Sequence, residues 1–401
     1  MLNRRMLLKS AGAFACSAAA HPFLTTVTLA GSDGGQPLGD HRLVVIILRG
    51  AMDGLDVVQP RGDGAYAGLR PTLAQPDAAD LDGFFALHSG LGGLMPLWQA
   101  GQLGFVHATS TPYRDKRSHF SGQDQLEAGT GMDLPASQVR DGWLNRMLQA
   151  VPGVRAETAF AVGNEEMKLL HGPAAVREWA PDTRLDLSPQ AQLLLEHVYH
   201  DDPLFLAAAS DAFALGGDPG MMMDDSPAGA LKGARLDDVD KLVRFAADRL
   251  REDTRIAAFS LSGWDTHKGQ GKGLGRALMR LERAILQMQK GLGAEVWGKT
   301  TVLAMTEFGR TARENGTAGT DHGTGGVMLV AGGAIRGGKV YGDWPGLEEA
   351  ALYDRRDLMP TSDVRQWAAH AMQGMFGLNR AVLEGAVFPG LQMGASPGLI
   401  L

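Results

Sequence analysis

Cysteine is almost missing from this chain. The 401 residues include one cysteine, Cys16, which falls in an N-terminal segment that we expect to be removed. The remaining chain then has no thiol, which excludes disulfide bonds, thiolate zinc sites and cysteine nucleophiles. Any metal must therefore be held by histidine, carboxylate or hydroxyl side chains.

Concentrated positive charge is also scarce. The formal net charge is −7, and no basic cluster follows the first nine residues. Nucleic acid is therefore not an expected partner, because phosphate binding needs a basic surface. The chain has no internal repeat or low-complexity tract to support a cell-surface structural role. Its 54 glycines, scattered along the sequence, predict many tight loops.

The N-terminus carries an export pattern. A basic segment with paired arginines, Asn3 to Lys9, precedes an alanine-rich apolar stretch that continues to about Ala30. This pattern predicts a twin-arginine-type signal peptide over residues 1–30, then a flexible leader over 31–40. The apolar stretch is short and interrupted by polar residues, so no stable membrane span is expected after cleavage. The predicted location is periplasmic or extracellular.

Residues 41–401 alternate between strand and helix patterns. Apolar runs typical of buried strands occur at Leu43–Leu48, Leu103–Val106, Ile256–Leu261 and Thr301–Met305,. Helical periodicity follows, most clearly in Leu236–Leu250 and Leu274–Lys290,. The alternation predicts an α/β fold, doubly wound, with a mostly parallel central sheet and helices on both faces. We expect a single domain with a helical or loop insertion near residues 150–235.

Acids and histidines follow several of these strands. Asp53 comes just after the first strand, Asp265 and His267 follow Ile256–Leu261, and Glu307 follows Thr301–Met305. The carboxyl ends of parallel strands meet at one edge, where α/β sheets bind their ligands. We therefore predict these side chains to be metal ligands, although Asp53-Gly54 is also typical of a plain turn.

Two loops add further candidates. A glycine-rich loop carries Asp321 and His322, which are predicted metal ligands unless His322 simply binds a backbone carbonyl. A polar stretch places Ser118 and His119 at a predicted helix start, where free N–H groups and the helix dipole favour an anion. Ser118 is either a nucleophile or an N-cap, and the neighbouring Arg117 either binds substrate or is solvated.

Five segments resemble the uncharacterised bacterial family DUF1501, which looks like a member of the alkaline phosphatase superfamily. These segments are LVVIILRGAMDGLD, RSHFSGQDQLEAGTG, SGWDTH, LAMTEFGRT and TDHGTGGVMLVAGGAIRGGKVYGDWPGL. The resemblance extends from about residue 43 to 380. It implies an alkaline-phosphatase-like domain in which a pair of metals, often zinc, flanks a serine or threonine nucleophile.

The resemblance also assigns residues. It implies that Asp53 is the first-strand acid, Ser118 the nucleophile, and Asp265 with His267 the ligands of one metal. It aligns Glu307-Phe308-Gly309 with the superfamily's Asp-His-Gly, and His322 with its final histidine. Phe308 departs from the superfamily pattern, because it stands where a histidine ligand is expected and a phenylalanine cannot ligate a metal. Either His119 or Asp321 then supplies the missing ligand, or only one metal binds tightly. The nucleophile is also open, since Ser118, His119 and Ser121 lie within one helical turn.

The expected function is that of an exported, metal-dependent hydrolase of phosphate or sulfate esters. One or two divalent ions are expected, zinc first, with manganese or calcium as alternatives. The substrate is expected to be a small anionic ester, held by Arg49, Arg117 and Arg310, with Arg310 acting beside Ser118 and His119 in catalysis,. The alternative, motivated by Phe308, is an exported binding or assembly protein that keeps the fold without turnover. The oligomeric state is not encoded in any pattern.

Overall fold

The computed structural model describes residues 38–114, 117–163, 165–181 and 236–401. The predicted signal peptide, nearly all of the leader and most of the predicted insertion lie outside these ranges. Within them, no helix combines the length and the apolar composition that crossing a membrane requires.

Twelve strands and nine helices are formed by the described residues. The strands are β1 Arg42–Arg49, β2 Val58–Gln59, β3 Ala79–Asp80, β4 Ala86–Leu87, β5 Leu103–Ser110, β6 Ala159–Val162, β7 Arg177–Trp179, β8 Ile256–Ser262, β9 Thr300–Thr306, β10 Gly326–Ala331, β11 Val340–Tyr341 and β12 Ser362–Asp363. The helices are α1 Gly54–Val57, α2 Tyr66–Leu69, α3 Met95–Gln99, α4 His119–Ala128, α5 Trp143–Gln149, α6 Leu236–Arg251, α7 Gln270–Trp297, α8 Val364–Phe376 and α9 Arg380–Val382.

The central sheet is mixed and mostly parallel, as predicted. Its strand order is β11-β5-β10-β9-β1-β8-β6-β7, with β12 also paired to β5. Strand β1 lies between β9 and β8 and is parallel to both. The antiparallel member is β10, which pairs with β9 and β5. A small antiparallel sheet, β2-β4-β3, is separate from it.

Helices cover both faces of the sheet, which confirms the layered prediction. Alternate residues of β1 point to opposite sides, as the two-residue repeat of a strand requires. Val44, Ile46 and Leu48 pack in a core with apolar side chains of α6 and α7. The other residues of the strand, such as Val45 and Ile47, pack in a second core with α5 and α8.

Two segments differ from their predicted bounds. The strand expected at Leu103–Val106 continues to Ser110, and all eight residues of β5 are buried. The described part of the predicted insertion, up to residue 181, contains β6 and β7, which extend the central sheet beyond β8. The rest of the predicted insertion lies outside the described residues, so the insertion as a whole stays a prediction.

The order of three strands creates the site. Strands β9, β1 and β8 are adjacent and parallel, so Thr306 lies beside Leu48, and Arg49 beside Ser262. The loops that follow these strands leave the same edge of the sheet, as expected at a ligand-binding edge. They carry Glu307, Asp53 and Asp265.

Candidate metal centre

Three imidazoles converge on one carboxylate at this edge. The Nε2 atoms of His267 and His322 lie 3.1 Å and 3.4 Å from Asp265 Oδ1, and the Nε2 of His119 lies 3.4 Å from Asp265 Oδ2. We call these four residues the histidine cluster. Donor atoms of His119, Asp265 and His322 all lie within 4.8 Å of one another, close enough for a single ion.

Each imidazole is oriented through its other nitrogen. His119 Nδ1 lies 2.8 Å from Glu307 Oε1, and His267 Nδ1 lies 3.1 Å from Asp321 Oδ1. His322 Nδ1 lies 2.7 Å from the carbonyl oxygen of Arg117. All three partners accept hydrogen bonds, so each Nδ1 carries a proton, which leaves Nε2 as the nitrogen that can bind a metal once it is free of a proton. Such outer partners are typical of metal-binding histidines.

Two of these nitrogens face each other directly. His267 Nε2 and His322 Nε2 are 3.0 Å apart, although both rings donate through Nδ1. Two lone pairs at this distance repel each other unless a proton or a cation lies beside them. The buried Nε2 of His119 makes no hydrogen bond with the described residues. The donor set therefore fits a divalent cation bound through nitrogen and oxygen.

Glu307 orients His119 and is not itself part of the cluster. Its buried carboxylate accepts hydrogen bonds from the Gly50 N–H at 2.9 Å, Gln123 Nε2 at 3.1 Å and the Thr306 hydroxyl at 2.9 Å. Burial opposes ionisation, but the hydrogen bonds from His119 and these donors outweigh it and lower the pKa of Glu307. Glu307, a predicted metal ligand, therefore holds the ring of His119 in place, and Asp321 holds the ring of His267 in the same way.

The acids around His119 change its protonation. Burial disfavours the charged imidazole, but the carboxylates of Asp265 and Glu307 outweigh it and raise the pKa of His119 to about 9. Burial also disfavours the Asp265 carboxylate, yet His119, His322 and Arg310 hold its pKa well below the usual range. Without a metal, His119 is therefore protonated at neutral pH. Metal binding must displace this proton, which makes affinity rise with pH.

Phe308 packs against two rings of the histidine cluster. Its buried ring stacks on His119 with centroids 5.3 Å apart and planes 18° apart, and it also lies 5.4 Å from His322. A Cβ at Gly122 would come within 2.8 Å of this ring, so the glycine gives Phe308 its place beneath α4. Of the two replacements predicted for the missing histidine, the structure brings His119 into the cluster.

The glycine-rich loop folds back on itself to deliver His322. The Thr311 N–H donates to the Asp321 carbonyl at 2.9 Å, and the Gly323 N–H donates to the Gly309 carbonyl at 2.8 Å. A Cβ at Gly323 would lie 2.3 Å from the Arg310 carbonyl carbon, so only glycine permits this approach,. The same packing brings Arg310 beneath Asp265.

The predicted substrate-binding arginines are mostly committed to ion pairs. Arg310 is fully buried and donates to Asp265 Oδ1 at 2.9 Å. Arg49 pairs with Glu127 at 2.7 Å and Glu165 at 2.8 Å. These contacts show what the two guanidinium groups position, and their roles toward a substrate stay predictions. Arg117 is partly exposed and lies at the rim of the cluster, but it also binds a buried carboxylate described below.

Asp53 lies apart from the cluster. It is buried and paired with Arg70, whose Nη1 and Nη2 donate to its two oxygens at 2.7 Å and 3.1 Å. Gln270 Nε2 adds a bond of 2.7 Å. Both carboxylate oxygens of Asp53 therefore accept hydrogen bonds from Arg70, and Asp53 does not join the other predicted ligands in the histidine cluster. Nothing near Arg70 or Gln270 in the sequence marks them, because their contacts are long-range.

A chain of hydrogen bonds connects this pair to the cluster. Gln270 Oε1 accepts a hydrogen bond from the Thr320 hydroxyl at 2.7 Å. The same hydroxyl oxygen accepts from Arg310 Nε at 3.3 Å, and Arg310 holds Asp265. The Asp53–Arg70 pair therefore helps to position Asp265 and, through it, the histidine cluster.

The hydroxyl candidates lie on α4. Ser118 occupies the N-cap position, but its side chain makes no capping hydrogen bond. Its N–H donates to the Tyr113 hydroxyl at 3.2 Å, which fixes the backbone at this point. Ser121 is exposed one turn further on. The capping role predicted as an alternative for Ser118 is thus unused, and its role as nucleophile stays a prediction.

The cluster opens onto a surface depression. A depression of about 420 Å³ is lined by His267, His322, Arg117, Asp321, Asp354 and Arg356. A second depression of about 640 Å³ shares Asp321 and Arg356 with the first. A solute therefore has access to the cluster and to a larger space beside it.

The chain belongs to the family described as "Protein of unknown function (DUF1501)", whose profile matches residues 117–386. That range holds every member of the histidine cluster, and it confirms the family resemblance. No curated protein matches the chain.

Solved structures provide distant similarities. A protein in the alkaline phosphatase superfamily from Vibrio parahaemolyticus is 13% identical, with 85% of this chain and 72% of that chain covered and a TM-score of 0.38. The C-terminal periplasmic domain of EcEptC from Escherichia coli, in complex with zinc, is 10% identical over 91% and 94%, with a TM-score of 0.37. The lipoteichoic acid synthase LtaP from Listeria monocytogenes is 9% identical over 91% and 79%, with a TM-score of 0.39.

Replacing Glu307 by glutamine tests the outer shell of the cluster. The substitution keeps the shape but removes the charge that orients His119, so we expect zinc affinity to fall about 10–100-fold. Competition with a chromophoric chelator measures this affinity. The matched control is Glu295→Gln, because Glu295 is highly exposed at the end of α7. Equal affinities in the two variants would show that Glu307 has no part in metal binding.

Proposed function

We propose that this protein is a metal-dependent hydrolase of phosphate or sulfate esters that is exported by the twin-arginine route. The observation that carries the proposal is the convergence of three oriented Nε2 atoms on Asp265. The cluster also opens onto a depression that admits a solute. Export rests on the paired arginines and the apolar stretch of residues 1–30 alone.

His119, Asp265 and His322 are the proposed ligands, with His267 in reach of the same ion. Nitrogen and carboxylate donors in this number suit zinc better than calcium, which prefers oxygen ligands, with manganese as an alternative. A bound zinc ion supplies a Lewis acid that polarises an ester oxygen and lowers the pKa of a bound hydroxyl or water. A single ion is proposed, because Asp53 is bound to Arg70.

Ser118 is the proposed nucleophile. Its hydroxyl is unused as a cap, and it sits at the N-terminus of α4, where free N–H groups favour a developing anion,. The Ser118 hydroxyl would lose its proton and its oxygen would form a bond to phosphorus or sulfur, while the bond to the leaving oxygen breaks and the departing alkoxide takes up one proton to give the alcohol. Water would then cleave the serine ester. His119 is ring-stacked and held by Glu307, which favours the serine over the imidazole.

A binding or assembly protein without turnover is the second candidate. It is favoured by Phe308, which the family resemblance aligns with a metal-binding histidine and whose ring, stacked on His119, cannot ligate a metal. It predicts a folded protein that binds an ion or an ester without cleaving it. Its distinguishing result is a lack of hydrolysis in the presence of bound metal.

Metal removal tests the proposed hydrolase. Protein purified without chelators should contain about one zinc per chain and hydrolyse p-nitrophenyl phosphate or sulfate. Exhaustive chelation should abolish this activity, and added zinc should restore it. Elemental analysis and the release of nitrophenol are the measurements. Full activity after chelation contradicts the hydrolase proposal, and a folded sample that takes up no zinc, manganese or calcium favours the binding or assembly protein.

A further inference from the structure

A tight hairpin, Tyr353 to Asp357, forms one wall of the site. Its ends are joined by two backbone hydrogen bonds, Tyr353 N–H to Asp357 O at 2.9 Å and Asp357 N–H to Tyr353 O at 3.0 Å. Asp354 and Arg355 have left-handed backbones, with φ of 50° and 53°. Such a conformation is costly for residues other than glycine and persists where the surroundings impose it. The hairpin presents Arg356 beside the cluster.

Asp357 fixes the hairpin to the loops that carry the cluster. Its buried carboxylate accepts hydrogen bonds from Arg117 Nη2 at 2.9 Å and the Thr324 hydroxyl at 2.8 Å. Arg356 Nη1 donates to its other oxygen at 3.1 Å. This carboxylate therefore faces two guanidinium groups, of which that of Arg117 also lies 3.8 Å from Asp354 Oδ2. The side chain of Arg356 is also 41% exposed, so its remaining N–H groups are accessible.

Arg356 lies where the two depressions meet. It lines the smaller one together with His267 and His322, and it lines the larger one as well. We propose that Arg356 binds the anionic group of the substrate ester beside the histidine cluster, and that the larger depression receives the leaving group. This inference rests on the proposed hydrolase function.

The larger depression defines a class of leaving group. Its volume of about 640 Å³ is in the range of sites for small organic ligands,. Leucine side chains and charged groups share its wall, for example Leu347 and Leu352 with Arg313 and Glu349. Such a mixed wall suits a polar alcohol with an apolar face, such as a sugar, and offers little to a methyl group. Esters of sugar-sized alcohols are therefore the expected substrates.

Phosphate binding tests the arginine. Inorganic phosphate and inorganic sulfate are titrated by calorimetry into the zinc-loaded protein and into Arg356→Met, with zinc content measured in both. We expect Arg356→Met to keep its zinc and to bind the anion at least about 10-fold more weakly. Arg251→Met is the control, because Arg251 is 58% exposed at the end of α6 and lines neither depression. Its affinity should match that of the wild type.

The possible outcomes separate a failure of the inference about Arg356 from a failure of the proposed hydrolase function. Equal anion affinity in Arg356→Met and the wild type, with zinc bound, overturns the role of Arg356 while a hydrolase can still stand. Zinc-loaded wild-type protein that neither binds the two anions nor cleaves their nitrophenyl esters overturns both. If Arg356→Met does not fold, Arg356→Gln gives the same comparison with a smaller loss of packing. Equal kcat/KM for methyl phosphate and a hexose phosphate overturns the leaving-group assignment.

Discussion

Replacing His322 by alanine is expected to lower zinc affinity by more than the 10–100-fold that is typical of an outer-shell change. The ring contributes one Nε2 within reach of Asp265 and the other two imidazoles, so its loss removes a ligand. Under the proposed function, hydrolysis at limiting zinc should fall at least as far. His322 is the most suitable position for this test, since its substitution leaves only the Arg117 carbonyl without a partner.

The other ligands are less suitable, since both support buried charges. Removing Asp265 leaves the buried Arg310 without its carboxylate, and removing His119 leaves the buried Glu307 without its imidazole. Either change would confuse metal loss with loss of stability. The control for His322→Ala is His171→Ala, because His171 is exposed and distant from the cluster in sequence. A His322→Ala variant that keeps wild-type zinc affinity and wild-type hydrolysis would show that His322 is not a ligand.

The sheet and the place of the site follow from local patterns. Buried apolar runs such as Leu43–Leu48 define strands in the sequence, and parallel strands must release their loops at a common edge,. The sequence therefore places Asp265, His267 and His322 near one another. The pairing of His119 with Glu307 depends on how α4 lies over the sheet, and no local pattern determines that packing.

Two of the predicted charged residues, Asp53 and Arg310, are buried in ion pairs that the sequence does not reveal. Asp53 has the sequence environment of a ligand, but Arg70 reaches it from α2 and its adjoining turn and neutralises it. Arg310 follows a strand end as an anion-binding arginine does, but the folding-back of the glycine-rich loop buries it. Arg356, which is exposed beside the cluster, lies outside the strand-end loops that the sequence singles out. Which charged side chains pair with one another depends on three-dimensional contacts, and residue type and spacing do not specify those contacts.

Replacing Arg70 by methionine is expected to reduce the free energy of unfolding by about 3–5 kcal/mol, because it leaves a buried carboxylate unpaired. Burial disfavours the Asp53 carboxylate, but the charge and hydrogen bonds of Arg70 outweigh it and hold the pKa of Asp53 below its ordinary value. Arg70 also donates to the carbonyls of Thr311 and Ala312 at 2.8 Å and 2.7 Å. Urea denaturation of metal-free protein measures the loss, and Arg313→Met at an exposed arginine is the control.

The pH dependence of this variant identifies Asp53 as the cause. In the wild type the lowered pKa of Asp53 contributes stability above its ordinary value of 3.8, and this contribution is lost as pH falls,. In Arg70→Met, burial is opposed only by Gln270 and the charge of Arg310, so we expect the pKa to rise above that value and the variant to lose stability as pH rises,. The difference between the two proteins should therefore be larger at pH 8 than at pH 5. The double variant Asp53→Asn/Arg70→Met should recover part of the loss, since it buries no charge at either position. A cost that is independent of pH and unchanged in the double variant would instead assign the effect to packing and to the two carbonyls.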